Sequence, residues 1–187
     1  MPRAGLSADA VVELAVELVD EDLHGPDGLT LAAVAARAGV ATPSLYKHVG
    51  SLAELRSLVS LRGWQELTGR VADAVLGRSG EAALQGLLLA YRSYVVEHPN
   101  RYRAMHQAPL TDPRTAAVAD RLMGIVLAVL GGFGLEGPAA IHAARCLRAA
   151  VHGFAVLEAD GGFGLPEDLD ASFDRLVSML VAGLRGP

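Results

Sequence analysis

The chain has 187 residues, 51% of them hydrophobic and 20% charged, with a mean hydropathy of +0.32, which excludes a disordered or solvating segment over most of its length. Twenty-one Gly and nine Pro without a three-residue period exclude a collagen-like chain, and the single cysteine, Cys146, excludes an internal disulfide framework and a thiolate-rich zinc site. The net charge of −5, with Lys47 the one lysine, departs from the basic footprint usual in nucleic-acid binding.

From Leu6 to Asp22, apolar residues at Val11, Leu14, Ala15, Leu18 and Val19 repeat at helical spacing, and Ser7 is placed to cap the start. The breakers His24-Gly25-Pro26-Asp27-Gly28 form a loop. Thr30 is placed to cap a second, short helix carrying Leu31, Val34 and Ala35, which ends at Gly39, a residue suited to the left-handed position after a helix. Val40-Ala41 is the linking turn, Thr42 the next cap and Pro43 the first residue of a third short helix that reaches Val49.

After Gly50, Ser51-Leu52-Ala53-Glu54 has the form of a capping box opening a long helix towards Arg78, with Gly63 and Gly69 as points of bending. A fifth helix follows Arg78-Ser79-Gly80, marked by Ala83, Leu84, Leu87, Leu88, Tyr91, Tyr94 and Val95, and stops before His98-Pro99. Further helices are predicted at about 100–107, 112–130, 138–159 and 167–184. No stretch alternates with the period of a strand, so the fold class is all-α, with nine helices. The glycines of 131–134 and 161–164 read as helix connections, since no strand precedes them. The apolar run Leu122–Leu135 is broken by glycines well short of the roughly 20 residues a membrane span needs. Asp9, Glu13 and Glu17 stand where an export signal would be basic and then apolar, so the expected location is the cytoplasm, with no membrane contact.

A helix, a tight turn at Gly39 and a short helix from Pro43 have the size and glycine placement of a helix-turn-helix. With Leu45 and Val49 facing inward, Thr42, Ser44, Tyr46, Lys47 and His48 point outward and offer hydrogen bonds suited to phosphate oxygens and base edges. The run from Thr30 through Gly39 to Val49 resembles the N-terminal signature of TetR-type transcriptional regulators. The resemblance implies that Thr30 contacts phosphate, that Thr42, Pro43 and Ser44 approach bases in the major groove of double-stranded DNA, and that Tyr46 and His48 hold the backbone, with Lys47 available to either. Arg37 joins them as a candidate DNA contact. Thr30 and Thr42 also read as caps alone.

Two features depart from the family's pattern. Leu52 and Ala53 stand where it usually carries a phosphate-binding lysine, with Arg56 the nearest substitute. Residues 1–50 hold three basic side chains against seven acidic ones, a net of −4. Weak long-range attraction to DNA follows, and with it a log–log salt slope no steeper than about −6.

The division expected is a DNA-binding domain at 1–50, then a connecting helix with a ligand-binding and dimerisation domain at 51–187. By the resemblance the second part encloses a pocket for a small-molecule effector, and Leu147–Phe154 with Leu157-Glu158 is similar to a subgroup with a Trp-His-Gly signature, Val151 replacing the tryptophan. Pocket candidates are Trp64, Tyr91, Met105, His106, Leu122, His152 and Phe154, which suit a largely apolar ligand. The last two helices carry apolar stripes (Leu147, Val151, Phe154, Leu157 and Phe173, Leu176, Val177, Leu180) that would be buried in a homodimer or, alternatively, against each other in an intramolecular helical hairpin. Two-fold symmetry would place the recognition helices about 34–36 Å apart, or further, on a pseudo-palindromic operator.

The function expected is a ligand-released repressor, not an enzyme, without cofactor or metal. A binding module of the same fold with lost DNA affinity is the alternative. Catalysis by His106, His142 or His152 is a weaker reading, because His142 and Cys146 stand beside Arg145 and Arg148 with no carboxylate before Glu158. Cys146 reads as a small buried hydrophobe.

Overall fold

The computed structural model describes residues 6–107 and 112–185. Among these it has nine α-helices, one 3₁₀ turn and no strand: α1 (Ala8–Glu21), the turn (Gly25–Gly28), α2 (Leu31–Ala38), α3 (Thr42–Leu45), α4 (Leu52–Val75), α5 (Gly80–Glu97), α6 (Pro99–Gln107), α7 (Pro113–Gly131), α8 (Gly137–Ala159) and α9 (Leu169–Leu184). The chain divides into two compact units, Met1–Gln65 with Asn100–Ala116, and Glu66–Pro99 with Ala117–Pro187. The unit that holds the helix-turn-helix therefore extends beyond residue 50. No helix among the described residues is long and apolar enough to cross a membrane.

The first unit forms around α1. Ser7 Oγ accepts the Ala10 N–H at 3.1 Å, as its position predicts, and Val11, Val12, Ala15, Val16 and Val19 are buried along one stripe. Against them pack Leu29, Val34, Ala35, Leu45, Val49, Leu55, Val59 and, from α6, Ala104. Each fully buried Val or Leu here removes apolar area worth about 1.5–3 kcal/mol. The Ser60 hydroxyl donates to the Met105 carbonyl at 3.1 Å, joining α4 to α6 within this unit.

At the start of α4 the predicted capping box forms in a modified way. The Glu54 N–H reaches Ser51 Oγ at 3.0 Å, but the Glu54 carboxylate turns back to the Gly50 N–H at 2.7 Å, one residue before the usual partner. The helix then continues unbroken through Gly63 and Gly69.

In the second unit α5 packs most extensively on α8. The buried face of α8, Ala140, Ala144, Leu147, Val151 and Ala155, is mostly small, while α5 contributes Leu84, Leu87, Leu88, Tyr91, Tyr94 and Val95. A Cβ at Gly86 would lie 2.7 Å from the Ala74 carbonyl, so glycine is what allows α5 to approach α4 so closely. Phe173, Val177 and Val181 bury one face of α9.

Two expectations need correction. Leu147, Val151, Phe173 and Val177, assigned to a dimer face, are buried inside this chain, because an amphipathic stripe does not specify whether its partner is intramolecular. Cys146 is exposed: it lies about 100° round the helix from Leu147 and so off the buried face.

Candidate nucleic-acid interface

The geometry of the helix-turn-helix begins at Thr30. Its extended backbone stops the chain from entering α2 one residue early, and its Oγ1 accepts the Ala33 N–H at 3.1 Å. A hydroxyl that caps through a lone pair keeps its O–H free to donate, so capping and phosphate contact are compatible at this residue. At the other end, Gly39 has φ +68°, its N–H bonds to the Ala36 carbonyl at 3.2 Å, and the Val40 N–H bonds to the Ala35 carbonyl at 3.0 Å. This pair of bonds is the Schellman ending, and it turns the chain sharply enough to set α3 across α2. Nothing lies within 4 Å of a Cβ built at Gly39, so only backbone strain opposes a side chain there. Gly39→Ala is expected to cost about 1 kcal/mol in urea unfolding, the penalty of a left-handed non-glycine residue.

The third helix is shorter than predicted and starts earlier. Ala41 is its N-cap, with no side-chain capping bond, so Thr42 is its first helical residue and Pro43 its second. Regular helix ends at Leu45, and the turn at 46–48 continues through bonds from the His48 and Val49 N–H groups to the Leu45 carbonyl, at 2.8 and 3.0 Å. Tyr46, His48 and Val49 are weak helix formers, and Gly50 follows closely. The inward pair is as predicted: Leu45 and Val49 are buried, at 0% and 1% exposure. On the outer side, Pro43, Tyr46 and Lys47 are exposed and Thr42, Ser44 and His48 half-buried, so one turn of chain presents hydroxyls, an imidazole and an ammonium to solvent.

The carboxylates of α1 are largely matched by arginines. Arg37 is paired with Glu21 and, at 3.6 Å, with Glu17; Arg62 is paired with Glu13, and Arg101 with Asp20. Hydrogen bonding from Arg37, with its charge, holds the Glu21 carboxyl below its ordinary value, and the Arg37 guanidinium is raised in return. This link between α1 and α2 is complete above the ordinary carboxylate range and is lost as pH falls through the lowered Glu21 value. Arg37, a predicted DNA contact, is thus engaged within the unit. Counted over the whole first unit, eight basic side chains meet nine acidic ones, so the net of −4 for residues 1–50 falls to −1.

The predicted pocket residues are divided between the units. Trp64, Met105 and His106 belong to the first; Tyr91, Leu122, His152 and Phe154 belong to the second. Met105 is buried, and the His106 ring packs 4.6 Å from Tyr102 and 6.1 Å from Trp64. Phe154 meets Phe163 at 4.9 Å and Phe173 edge-on at 5.1 Å, under the Arg92 guanidinium. A cleft of about 300 Å3 in the first unit is lined by Val19, Pro26, Leu29, Val59 and Ala104 with Asp27, Arg56 and Gln107, none of them predicted. Sequence reasoning also missed the buried polar atoms without a hydrogen-bond partner among the described residues, which include Trp64 Nε1 in the first unit and Thr68 Oγ1 in the second. Of the residues weighed for catalysis, His142 and Cys146 are exposed on α8, and the described residues contain no group of three or more His, Cys, Asp or Glu able to hold a metal.

Comparison with known proteins agrees with this geometry. Residues 12–59 match the family model for bacterial regulatory proteins of the tetR family, and residues 84–180 match a tetracyclin repressor-like C-terminal domain. An uncharacterised HTH-type transcriptional regulator of Bacillus subtilis is 35% identical over 98% of this chain and 95% of its own length. One from Mycobacterium tuberculosis is 38% identical over 97% of this chain and 83% of its own. Among solved structures, a protein of unknown function from a Rhodococcus species superposes with a TM-score of 0.85 at 22% identity, over 99% of each chain. The Streptomyces coelicolor TetR family protein ActR, solved with actinorhodin, does so with 0.70 at 19% identity, over 98% of this chain and all of that one.

Proposed function

The chain belongs to the tetR family of bacterial regulatory proteins, non-enzymatic DNA-binding regulators of transcription, and on that premise we propose that it is a repressor that binds a pseudo-palindromic operator as a homodimer and is released by a small molecule in the cytoplasm. The observation that carries the reading is the polar outer edge from Thr42 to His48, held out by the buried Leu45 and Val49. Thr42, Pro43 and Ser44 read bases; Thr30, Tyr46, Lys47 and His48 hold phosphates. Arg37, balanced by Glu17 and Glu21, keeps α2 on α1 and takes no direct part.

For the homodimer we assign the outer faces of α8 and α9, where Ile141, Leu157 and Met179 are 47%, 48% and 66% exposed. The effector binds in the second unit. Thr68, 2% exposed with an unpartnered hydroxyl, calls for a polar group on an otherwise apolar molecule, and Tyr91, Leu122 and His152 are its further contacts. Met105, His106 and Trp64 serve packing in the first unit, and Phe154 serves the cluster around Arg92. An effector that prefers the DNA-incompetent state shifts the population and frees the operator, and operator DNA weakens effector binding by the same factor.

The test is fluorescence anisotropy on a duplex carrying the DNA upstream of the protein's own gene. It is expected to bind about a thousandfold more tightly than a shuffled duplex. Equal affinity for the two defeats the reading and leaves the alternative, a ligand-binding module without DNA specificity. That alternative rested on the acidic N-terminal third and on Leu52, and the arginine pairing of α1 weakens the first of these grounds.

A further inference from the structure

The ion pairs of the first unit set two of its described cations apart from the rest. Arg37, Arg62, Arg101 and Arg114 each hold a carboxylate: Glu21 with Glu17, Glu13, Asp20 and Asp112 respectively. A cation already paired brings little net charge to a phosphate, because contact with DNA would first have to break the pair or carry its carboxylate along. Arg103 is held by the Asn100 side-chain oxygen at 3.0 Å, and among the described residues Lys47 and Arg56 take part in none of these ion pairs. Lys47 stands in the recognition turn. Arg56 stands on α4, one helical turn beyond Leu52, where the family's phosphate-binding lysine is missing.

The position of the Arg56 guanidinium is informative. Arg56 is exposed as a residue, and its Nη2 lies 3.5 Å from the Leu29 carbonyl in a part-buried spot, a long contact with a neutral acceptor that a phosphate oxygen would displace. Leu29 immediately precedes Thr30, whose hydroxyl caps α2 through its oxygen and retains its proton. A cation and a free O–H donor are thus brought to adjacent residues of the chain.

We propose that Arg56, together with Thr30, forms a phosphate contact that replaces the absent lysine, and that Lys47 and Arg56 supply most of the electrostatic attraction of this protein for DNA. The proposal rests on the reading of the chain as a DNA-binding dimer. Two such cations per protomer give four per dimer and a log–log salt slope of about −3.6, well short of −6.

The experiment measures anisotropy on a mixed-sequence duplex of about 40 base pairs across a salt series, since non-specific binding reports the phosphate term alone and needs no known operator. Arg56→Gln is expected to flatten the slope by about 0.9 per protomer, and Arg56→Lys to restore it. The neutral double variant Arg37→Gln/Glu21→Gln is expected to leave the slope unchanged. If Arg56→Gln binds with the wild-type slope, whether or not affinity falls, the proposal is overturned while the DNA-binding reading stands. If the double variant flattens the slope as much as Arg56→Gln, the sorting of cations is wrong and the proposal falls with it. If the wild-type chain binds no duplex at low salt, both fall. Exposure of Arg56 makes the variant safe for folding, and an unchanged circular dichroism melt confirms it.

Discussion

Converting Ser44 and Tyr46 together to alanine is expected to lower operator affinity by about a thousandfold and to leave the melting temperature almost unchanged. Tyr46 is 56% exposed and Ser44 half-buried, and the two flank the buried Leu45, each about 100° round the chain from it. Ser44 contributes to the turn through its backbone N–H, which reaches the Ala41 carbonyl at 2.8 Å and survives the substitution. Surface changes of this kind alter stability by about 0.5 kcal/mol or less. On DNA, each side chain is assigned one hydrogen bond, worth about 1 kcal/mol net, and a dimer repeats both at a second half-site. The sum is about 4 kcal/mol, or three orders of magnitude in Kd. The measurement is anisotropy on the upstream duplex alongside a thermal melt. Wild-type affinity in the double variant would remove the recognition turn from the interface. A matching loss of stability would instead mean that the side chains serve the fold.

The elements closest to the backbone were the easiest to read in advance. Ser7, Thr30 and Gly39 act at their predicted helix ends because capping depends on residues three or four apart. The same locality made Leu45 and Val49 legible as the anchors of α3, but not the length of that helix, which depends on weak formers next to a glycine. Longer-range features were hidden. The charge of residues 1–50 looked prohibitive because Arg62 and Arg101, which neutralise Glu13 and Asp20, lie far along the chain. Pocket residues chosen by type fell into both compact units, since helical spacing identifies a buried face without identifying what covers it. The arrangement around Arg92 left no sequence signal at all, because its members come from three different helices.

That arrangement carries the largest stability effect expected in the chain. Arg92 on α5 donates from Nε and Nη2 to the two Glu158 oxygens of α8, both at 2.6 Å, and from Nη1 to Asp170 of α9 at 2.7 Å. Its guanidinium also lies 4.8 Å from the centre of the Phe173 ring, and Phe173 is fully buried. Hydrogen bonding to Glu158 raises the Arg92 pKa against the opposing effect of burial, so the side chain stays charged at every pH where the protein folds. The two partners differ in worth. The Arg92 and Glu158 side chains are 11% and 13% exposed, whereas Asp170 is 83% exposed and its pairing is screened by water. Arg92→Met therefore strands a largely buried carboxylate and is expected to cost about 3–5 kcal/mol in urea unfolding, while Asp170→Asn costs about 1 kcal/mol or less. Replacing both members of the buried pair, as in Arg92→Met/Glu158→Leu, is expected to recover much of the loss, because no charge is then left without a partner. The comparison separates charge from packing: a double variant no more stable than Arg92→Met would assign the loss to the contacts of the arginine with Phe154 and Phe173. Since α9 carries part of the face assigned to the dimer, Arg92→Met should also weaken self-association, read by sedimentation at concentrations where the wild-type chain is dimeric. A variant that unfolds more easily yet dimerises as before would separate the anchoring of α9 from assembly.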